Sequence, residues 1–254
     1  MIPIIKPNKG PKRLTKRGLI QTTEDCANYD ASPGAYRSCK KTFRSKRGIF
    51  ASKAVKKMLS DAQHNKCCFC EKRFRAAINL AVEHFRPKQG VRQSRTLKAQ
   101  YPGYYWLAYD WDNLLLSCHD CNSTFKQILF PLANPNQRAR SHHHDIRIER
   151  PLLVNPATED PRKHIRFRDD APEPRTARGR ATIDVLGLRR ASLREDRLEK
   201  LALLRYFADL RQISAKKPRS RELKKLADRA QEFLDSAILA DAEFSSMAQD
   251  FSAR

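Results

Sequence analysis

The sequence predicts an α+β protein in which a small cysteine-braced site with short strands lies among helices that dominate the C-terminal half. Two C-x-x-C pairs near the middle of the chain predict the bracing. Between them, apolar residues alternate from Ile78 to Val82 and predict a short strand that ends at Glu83 and His84. Beyond residue 180, leucines and phenylalanines recur at helical spacing. The 254 residues are enough for one large domain or two small ones.

The chain divides into three regions. Residues 1–60 combine many lysines and arginines with Pro and Gly, and predict a basic arm followed by a helix that buries Val55 and Leu59. Residues 61–133 hold both C-x-x-C pairs and the predicted strand, so they are the expected functional core. Residues 134–254 predict a mainly helical region, and part of its leucine face could dock a partner instead of filling the core.

The charge balance indicates a polyanionic partner. Lys and Arg number 51 against 28 Asp and Glu, which gives a net charge of +23. Such an excess favours nucleic acid over an anionic membrane or an acidic protein, because neutralised phosphates release their counterions. The N-terminus lacks the apolar stretch of a secretory signal, and no run of about 18 apolar residues occurs. We therefore expect a cytoplasmic protein with no membrane partner.

The two C-x-x-C pairs predict a structural Zn²⁺ site. Cys67, Cys70, Cys118 and Cys121 offer the four thiolates of a closed tetrahedral site. A redox role is the alternative for either pair alone, but two pairs together favour zinc. The other cysteines are expected not to bind the metal, although Cys68 could in principle replace Cys67; they are Cys26, Cys39 and Cys68.

Glu83 and His84 carry the chemistry expected of the segment between the pairs. An imidazole is suited to take a proton from water near neutral pH. Glu83 and the amide oxygen of Asn122 are oxygen ligands of the kind that Mg²⁺ prefers. Adjacent strand residues point to opposite faces, so Glu83 and His84 share a site only if the backbone turns there. The alternative is that His84 is a structural residue at the end of a strand.

The order of these motifs, C-x-x-C, EH, N and C-x-x-CN with a following Lys, resembles that of the HNH, or ββα-metal, endonucleases. The resemblance implies that residues 61–133 form an HNH nuclease core. It further implies that His84 is the base, that Asn113 braces the loop holding it, and that Glu83 and Asn122 bind a catalytic Mg²⁺ or Mn²⁺ ion. This sequence has Glu where Asp is commoner and Asn where His is commoner, and His119 is a possible substitute ligand.

Longer segments resemble the PtuB-type nucleases of Septu and retron-associated antiphage systems. They include CCFCEKRF, VEHFRPK and YYWLAYDWDNLLLSCHDCNSTFKQILFPL. This resemblance implies a nuclease effector controlled by a PtuA-type ATPase subunit, with DNA favoured as substrate and tRNA or other RNA possible. The alternative is a non-catalytic zinc module that binds nucleic acid or bridges proteins.

Several further residues are open to two interpretations. Arg86, Lys88 and Lys126 could contact phosphates, but a solvated basic surface is the alternative for the first two. Glu71 is expected at the surface. The histidine run His142–His144 is expected to be solvated, with metal binding as the less favoured alternative.

Overall fold

The computed structural model describes residues 1–76, 79–215 and 221–253, so Ile78 of the predicted strand lies outside the described residues. The chain is a mixture of helices with two small antiparallel sheets. The helices are α1 (Leu19–Ala31), α2 (Pro33–Arg37), α3 (Arg47–Phe50), α4 (Lys53–Gln63), α5 (Ala177–Val185), α6 (Ala191–Ala215), α7 (Arg221–Ala237) and α8 (Ser245–Ser252). The strands are β1 (Ala81–His84), β2 (Leu114–Ser117), β3 (Ile165–Arg168) and β4 (Ala171–Pro174).

Strands β1 and β2 form the sheet at the middle of the chain. They pair antiparallel, with Glu83 opposite Leu115 and His84 opposite Leu114. Every residue of β2 is buried. Strand β1 ends at His84, where the sequence predicts the end of the strand.

Helix α4 holds the outer edge of β2. Ser52 caps the helix, and Val55 and Leu59 are fully buried, as their spacing predicts. At the end of the helix, the Gln63 side chain donates to the Leu116 carbonyl and accepts from the Leu116 amide, both at 2.8 Å. The glutamine amide thereby pairs both backbone groups of Leu116.

The C-terminal region is mainly helical, with one hairpin formed by β3 and β4. Helix α6 packs on α7, where the rings of Phe207 and Phe233 stack 4.1 Å apart. Leu201 and Leu204 of α6 are buried in the main hydrophobic cluster. Across residues 1–76, 79–215 and 221–253, no helix combines the length and the apolar composition that crossing a bilayer requires.

Glu71 is buried, so the expectation of a surface position is wrong. Its carboxylate lies 2.6 Å from the Met1 ammonium and accepts hydrogen bonds from the Ser245 hydroxyl at 2.9 Å and the Ser246 amide at 3.1 Å. Burial opposes ionisation, but the charges of the Met1 ammonium and Lys66 prevail and lower the pKa of Glu71 to about 2. Glu71 directly follows Cys70, so its carboxylate connects the first C-x-x-C pair to Met1 and to the start of α8.

We predict that Glu71→Gln lowers the free energy of unfolding by about 3 kcal/mol, because it leaves the buried Met1 ammonium without its counter-charge. Chemical denaturation measures the loss. Asp61→Asn is the control: it removes the exposed Lys57–Asp61 ion pair, whose loss should cost about 0.5 kcal/mol or less. Equal stability of the two variants would contradict the prediction.

Candidate active site and metal centre

The four cysteines of the C-x-x-C pairs converge, as the sequence predicts. Cys67, Cys70, Cys118 and Cys121 are buried, and their sulfur atoms lie within 4.8 Å of one another. The Cys70 and Cys118 sulfurs are 3.8 Å apart. A tetrahedral Zn²⁺ with Zn–S bonds of about 2.3 Å separates its sulfurs by about 3.8 Å. The group could therefore hold a metal such as zinc.

Backbone hydrogen bonds place the two cysteine pairs together. In the first turn, the Cys67 amide donates to the Lys72 carbonyl at 3.0 Å. The Cys68 amide donates to the Leu116 carbonyl of β2 at 2.9 Å, which attaches this turn to the strand preceding the second pair. The Cys68 thiol is buried outside the four-cysteine group, and neither Cys26 nor Cys39 belongs to it.

A positive charge lies beside the thiols. The Arg190 guanidinium donates to the Cys121 sulfur at 3.6 Å. Four thiolates on a divalent ion carry net negative charge, so a neighbouring cation offsets it. The helical C-terminal region thus contributes to the environment of the cysteine group.

His84 is buried in a fixed orientation. Its Nε2 atom lies 2.9 Å from the Ala108 carbonyl, and its Nδ1 atom lies 3.5 Å from the Lys88 ammonium. Because a carbonyl can only accept, Nε2 carries the proton, and Nδ1 is the acceptor that faces the Lys88 ammonium. Burial, followed by the charge of Lys88, lowers the pKa of His84 to about 3. The ring is therefore neutral at neutral pH.

Glu83 forms a buried ion pair with Lys126. The Lys126 ammonium lies 2.5 Å from the Glu83 carboxylate and also donates to the His84 carbonyl at 3.1 Å. Burial raises the pKa of Glu83, and the charge of Lys126 opposes this rise. Lys126 is fully buried, so it could contact phosphate only if this pair opens. Its role in binding nucleic acid stays a prediction.

Glu83 and His84 line one cleft, with a volume of about 400 Å³, although they are adjacent in β1. Asn122, in a π-helical segment (Asp120–Lys126), lines the same cleft. Arg47 and Lys56 line it from the N-terminal region. The sequence does not predict their position, because its only signal there is a general excess of basic residues. His119 is largely exposed beside Asp120 and does not line this cleft.

Asn113 holds the loop that follows His84. Its side-chain oxygen accepts from the Arg86 amide at 2.7 Å, and its side-chain nitrogen donates to the carbonyls of Arg86 at 3.0 Å and Leu107 at 3.1 Å. Its own carbonyl accepts from the Phe85 amide at 2.9 Å. These contacts join the segment that directly follows β1 to the segment that precedes β2.

The two basic residues after His84 lie in different settings. Arg86 donates to Glu149 at 3.0 Å, in an ion pair whose carboxylate is fully buried. Lys88 lies in the cleft, 4.8 Å above the centre of the Phe50 ring and close to His84. Lys88 is thus the better placed of the two to meet a phosphate, and binding by either stays a prediction.

The candidate site thus combines three features. They are a small antiparallel sheet, a buried four-cysteine group and a basic cleft with an oriented histidine. No protein-family model matches the chain. It is 35% identical over 151 residues to Septu protein PtuB of Bacillus mycoides (strain KBAB4), a match covering 58% of this chain and 51% of that protein. A Septu protein PtuB of Bacillus thuringiensis is 28% identical over 141 residues, covering 55% of this chain and 43% of that protein. The chain is homologous to PtuB over this part of its length.

Septu protein PtuA of Bacillus mycoides (strain KBAB4) also matches. It is 26% identical over 146 residues, which cover 57% of this chain but 20% of that protein. The chain thus spans about half the length, or less, of the curated relatives it matches.

We predict that the protein holds about one tightly bound zinc ion per chain at the four cysteines and that Cys118→Ser loses both this zinc and cooperative folding, because metal binding and folding are coupled. Elemental analysis and thermal unfolding measure the two effects. Cys68→Ala is the matched control, since Cys68 lies in the same turn but outside the group; it should keep the zinc. A metal-free wild type that unfolds normally would contradict the prediction.

Proposed function

We propose that this chain is a metal-dependent endonuclease of the HNH, or ββα-metal, type and acts as the effector of a PtuB-type antiphage defence system. The observation that carries the proposal is the orientation of His84. Its Nε2 atom is fixed on the Ala108 carbonyl, and its Nδ1 atom is left as an acceptor in a basic cleft beside Glu83 and Asn122.

His84 would act as the general base. The neutral ring accepts a proton from water at Nδ1, and Nε2 keeps its proton on the Ala108 carbonyl. A pKa of about 3 makes His84 a weak base in the free site. The negative charge of a bound phosphate would raise the basicity of the ring, whereas a bound cation would lower the pKa of the attacking water. Asn113 is a positioning residue, because it fixes the loop that leads away from His84.

Glu83 and Asn122 would hold the catalytic Mg²⁺ or Mn²⁺. A carboxylate and an amide oxygen in one cleft fit a hard cation that keeps most of its water ligands. When bound, such an ion would neutralise charge on the phosphate and on the 3′-oxygen that leaves. Lys126 pairs with Glu83 Oε1, so a cation would have to bind the carboxylate beside this ammonium or displace it.

Three cations around the cleft would bind the nucleic-acid backbone. Arg47, Lys56 and Lys88 line it, and the whole chain carries a net charge of +23. Contacts to phosphates give affinity without choosing a sequence. These contacts favour cleavage without strong sequence preference. DNA is the proposed substrate, as the resemblance to PtuB-type nucleases implies, and RNA is the alternative.

A PtuA-type ATPase subunit would control the nuclease. The similarity of this chain to proteins named PtuB and PtuA supports the assignment to a Septu system. The match covers about half the length of the PtuB proteins. We therefore propose the ATPase partner and the defence role for the complete system.

One observation favours a second candidate, a non-catalytic zinc module that binds nucleic acid. The Glu83 carboxylate is paired with Lys126 at 2.5 Å, and a carboxylate held in this way is less available to a metal ion. Such a module would use the cleft for binding alone.

We expect wild-type protein with Mg²⁺ or Mn²⁺ to cleave plasmid DNA, single-stranded DNA or tRNA, and we expect His84→Ala to reduce the rate at least about 100-fold. Gel assays with and without the ATPase measure the cleavage. His119→Ala is the matched control, because the His119 side chain is 80% exposed and outside the cleft, so the cleavage rate should stay at the wild-type value. Cleavage that persists unchanged in His84→Ala or with EDTA would contradict the mechanism, and tight binding without cleavage would favour the module.

We expect Asn113→Ala to lower kcat by about 10-fold or more with little change in KM, because it releases the loop beside His84 without touching substrate. Asn136→Ala, in an exposed turn, is the control. A variant that loses only stability and keeps the wild-type kcat would show that Asn113 has no positioning role.

A further inference from the structure

A second group of potential metal ligands lies away from the four cysteines and the cleft. Asp30, His142 and His143 bring their ligand atoms within 4.8 Å of one another. Asp30 lies at the end of α1, and the histidines lie in a loop more than 100 residues later. Asp145, next to the histidine run in sequence, pairs with Arg147 instead.

The distances suit a metal ion after small side-chain adjustments. His143 Nε2 lies 2.8 Å from Asp30 Oδ1, and His142 Nε2 lies 3.4 Å from Asp30 Oδ2. In a tetrahedral site with bonds of about 2.1 Å, the ligand atoms are about 3.4 Å apart. Two imidazoles and one carboxylate are a common ligand set for Zn²⁺ and other first-row ions.

A buried tyrosine orients one of the ligands. The Tyr105 hydroxyl lies 2.6 Å from His142 Nδ1. Tyr105 is fully buried, with its ring stacked 4.2 Å from that of Phe43 and 5.2 Å from that of Tyr29. When Nδ1 donates to this hydroxyl, the lone pair of Nε2 faces Asp30. Metal-binding histidines are held in this way by an outer partner.

We propose that Asp30, His142 and His143 form a second cation site, which binds a divalent transition-metal ion such as Zn²⁺ and leaves at least one position to water. The last carbonyls of α1 add partial negative charge near Asp30 and favour a cation there. The site is independent of the proposed nuclease activity, because none of its ligands lines the cleft.

An ion at this site would join two segments that lead to the cleft. Helix α1 continues through α2 and α3 to Arg47 and Phe50, which line it. The histidine loop continues to Glu149, the ion-pair partner of Arg86. Binding of the ion would therefore stabilise the packing of the N-terminal region on the rest of the protein.

The test is a calorimetric titration of Zn²⁺ into untagged, full-length protein that already holds its first equivalent of zinc. Wild type should bind one further equivalent, and its Tm should rise with added Zn²⁺. Asp30→Asn and His143→Ala should each weaken this second binding at least about 10-fold, and Tyr105→Phe should weaken it by about 10-fold while keeping the stacked ring.

His144→Ala and Asp145→Asn are the matched controls. Both residues lie in the same loop, but His144 contacts Ser141 and Asp145 pairs with Arg147, so both variants should bind like wild type. Absence of a second equivalent in wild type would overturn the proposal and leave simple ion pairs between Asp30 and the histidines. Unchanged binding in Asp30→Asn and His143→Ala would also overturn it. Neither result depends on cleavage, so the proposed nuclease is tested separately.

Discussion

The convergence of four buried cysteines is the constraint on which the rest of the structure depends. The first pair is attached through the Cys68 amide to Leu116 in β2, and the second pair directly follows that strand. The cysteine group therefore fixes the position of β2, and the pairing with β2 fixes the position of β1. Glu83 and His84 are the last residues of β1, and Asn122 is adjacent to Cys121. A short sheet of this size has little stability alone, so the cluster supplies the rigidity that a candidate site requires.

Buried charge is the second theme of the molecule. Glu71 and Glu83 are both buried, and each has a cation within 2.6 Å. Such pairs cost much solvation, and loss of one partner is strongly destabilising because it leaves an uncompensated buried charge. The Glu71 pair connects distant parts of the chain. The Glu83–Lys126 pair lies in the candidate site, where a metal ion and the Lys126 ammonium would compete for the same carboxylate.

The sequence predicted the parts of the site that depend on local spacing. The C-x-x-C pairs, the end of β1 at His84 and the buried side of α4 all follow from short patterns with direct chemical meaning. Contacts between distant segments were not predicted, because periodicity carries no information about which remote side chains meet. Glu71 contacts Ser245, and Asp30 contacts His143, across more than 100 residues each. The cleft likewise receives Arg47 from a region that reads only as a basic arm.

The hydrogen bonds of Gln63 to Leu116 affect how the protein can associate with other chains. A sheet of two strands has two open edges, and an open edge is a template on which a foreign strand can add. On β2, one glutamine side chain and the Cys68 amide occupy the groups that such a strand would need. The Lys6 ammonium also donates to the Leu114 carbonyl at 2.9 Å, so several separate groups take the place of a third strand. A fully buried apolar strand such as β2 would otherwise offer these groups to a strand of another chain.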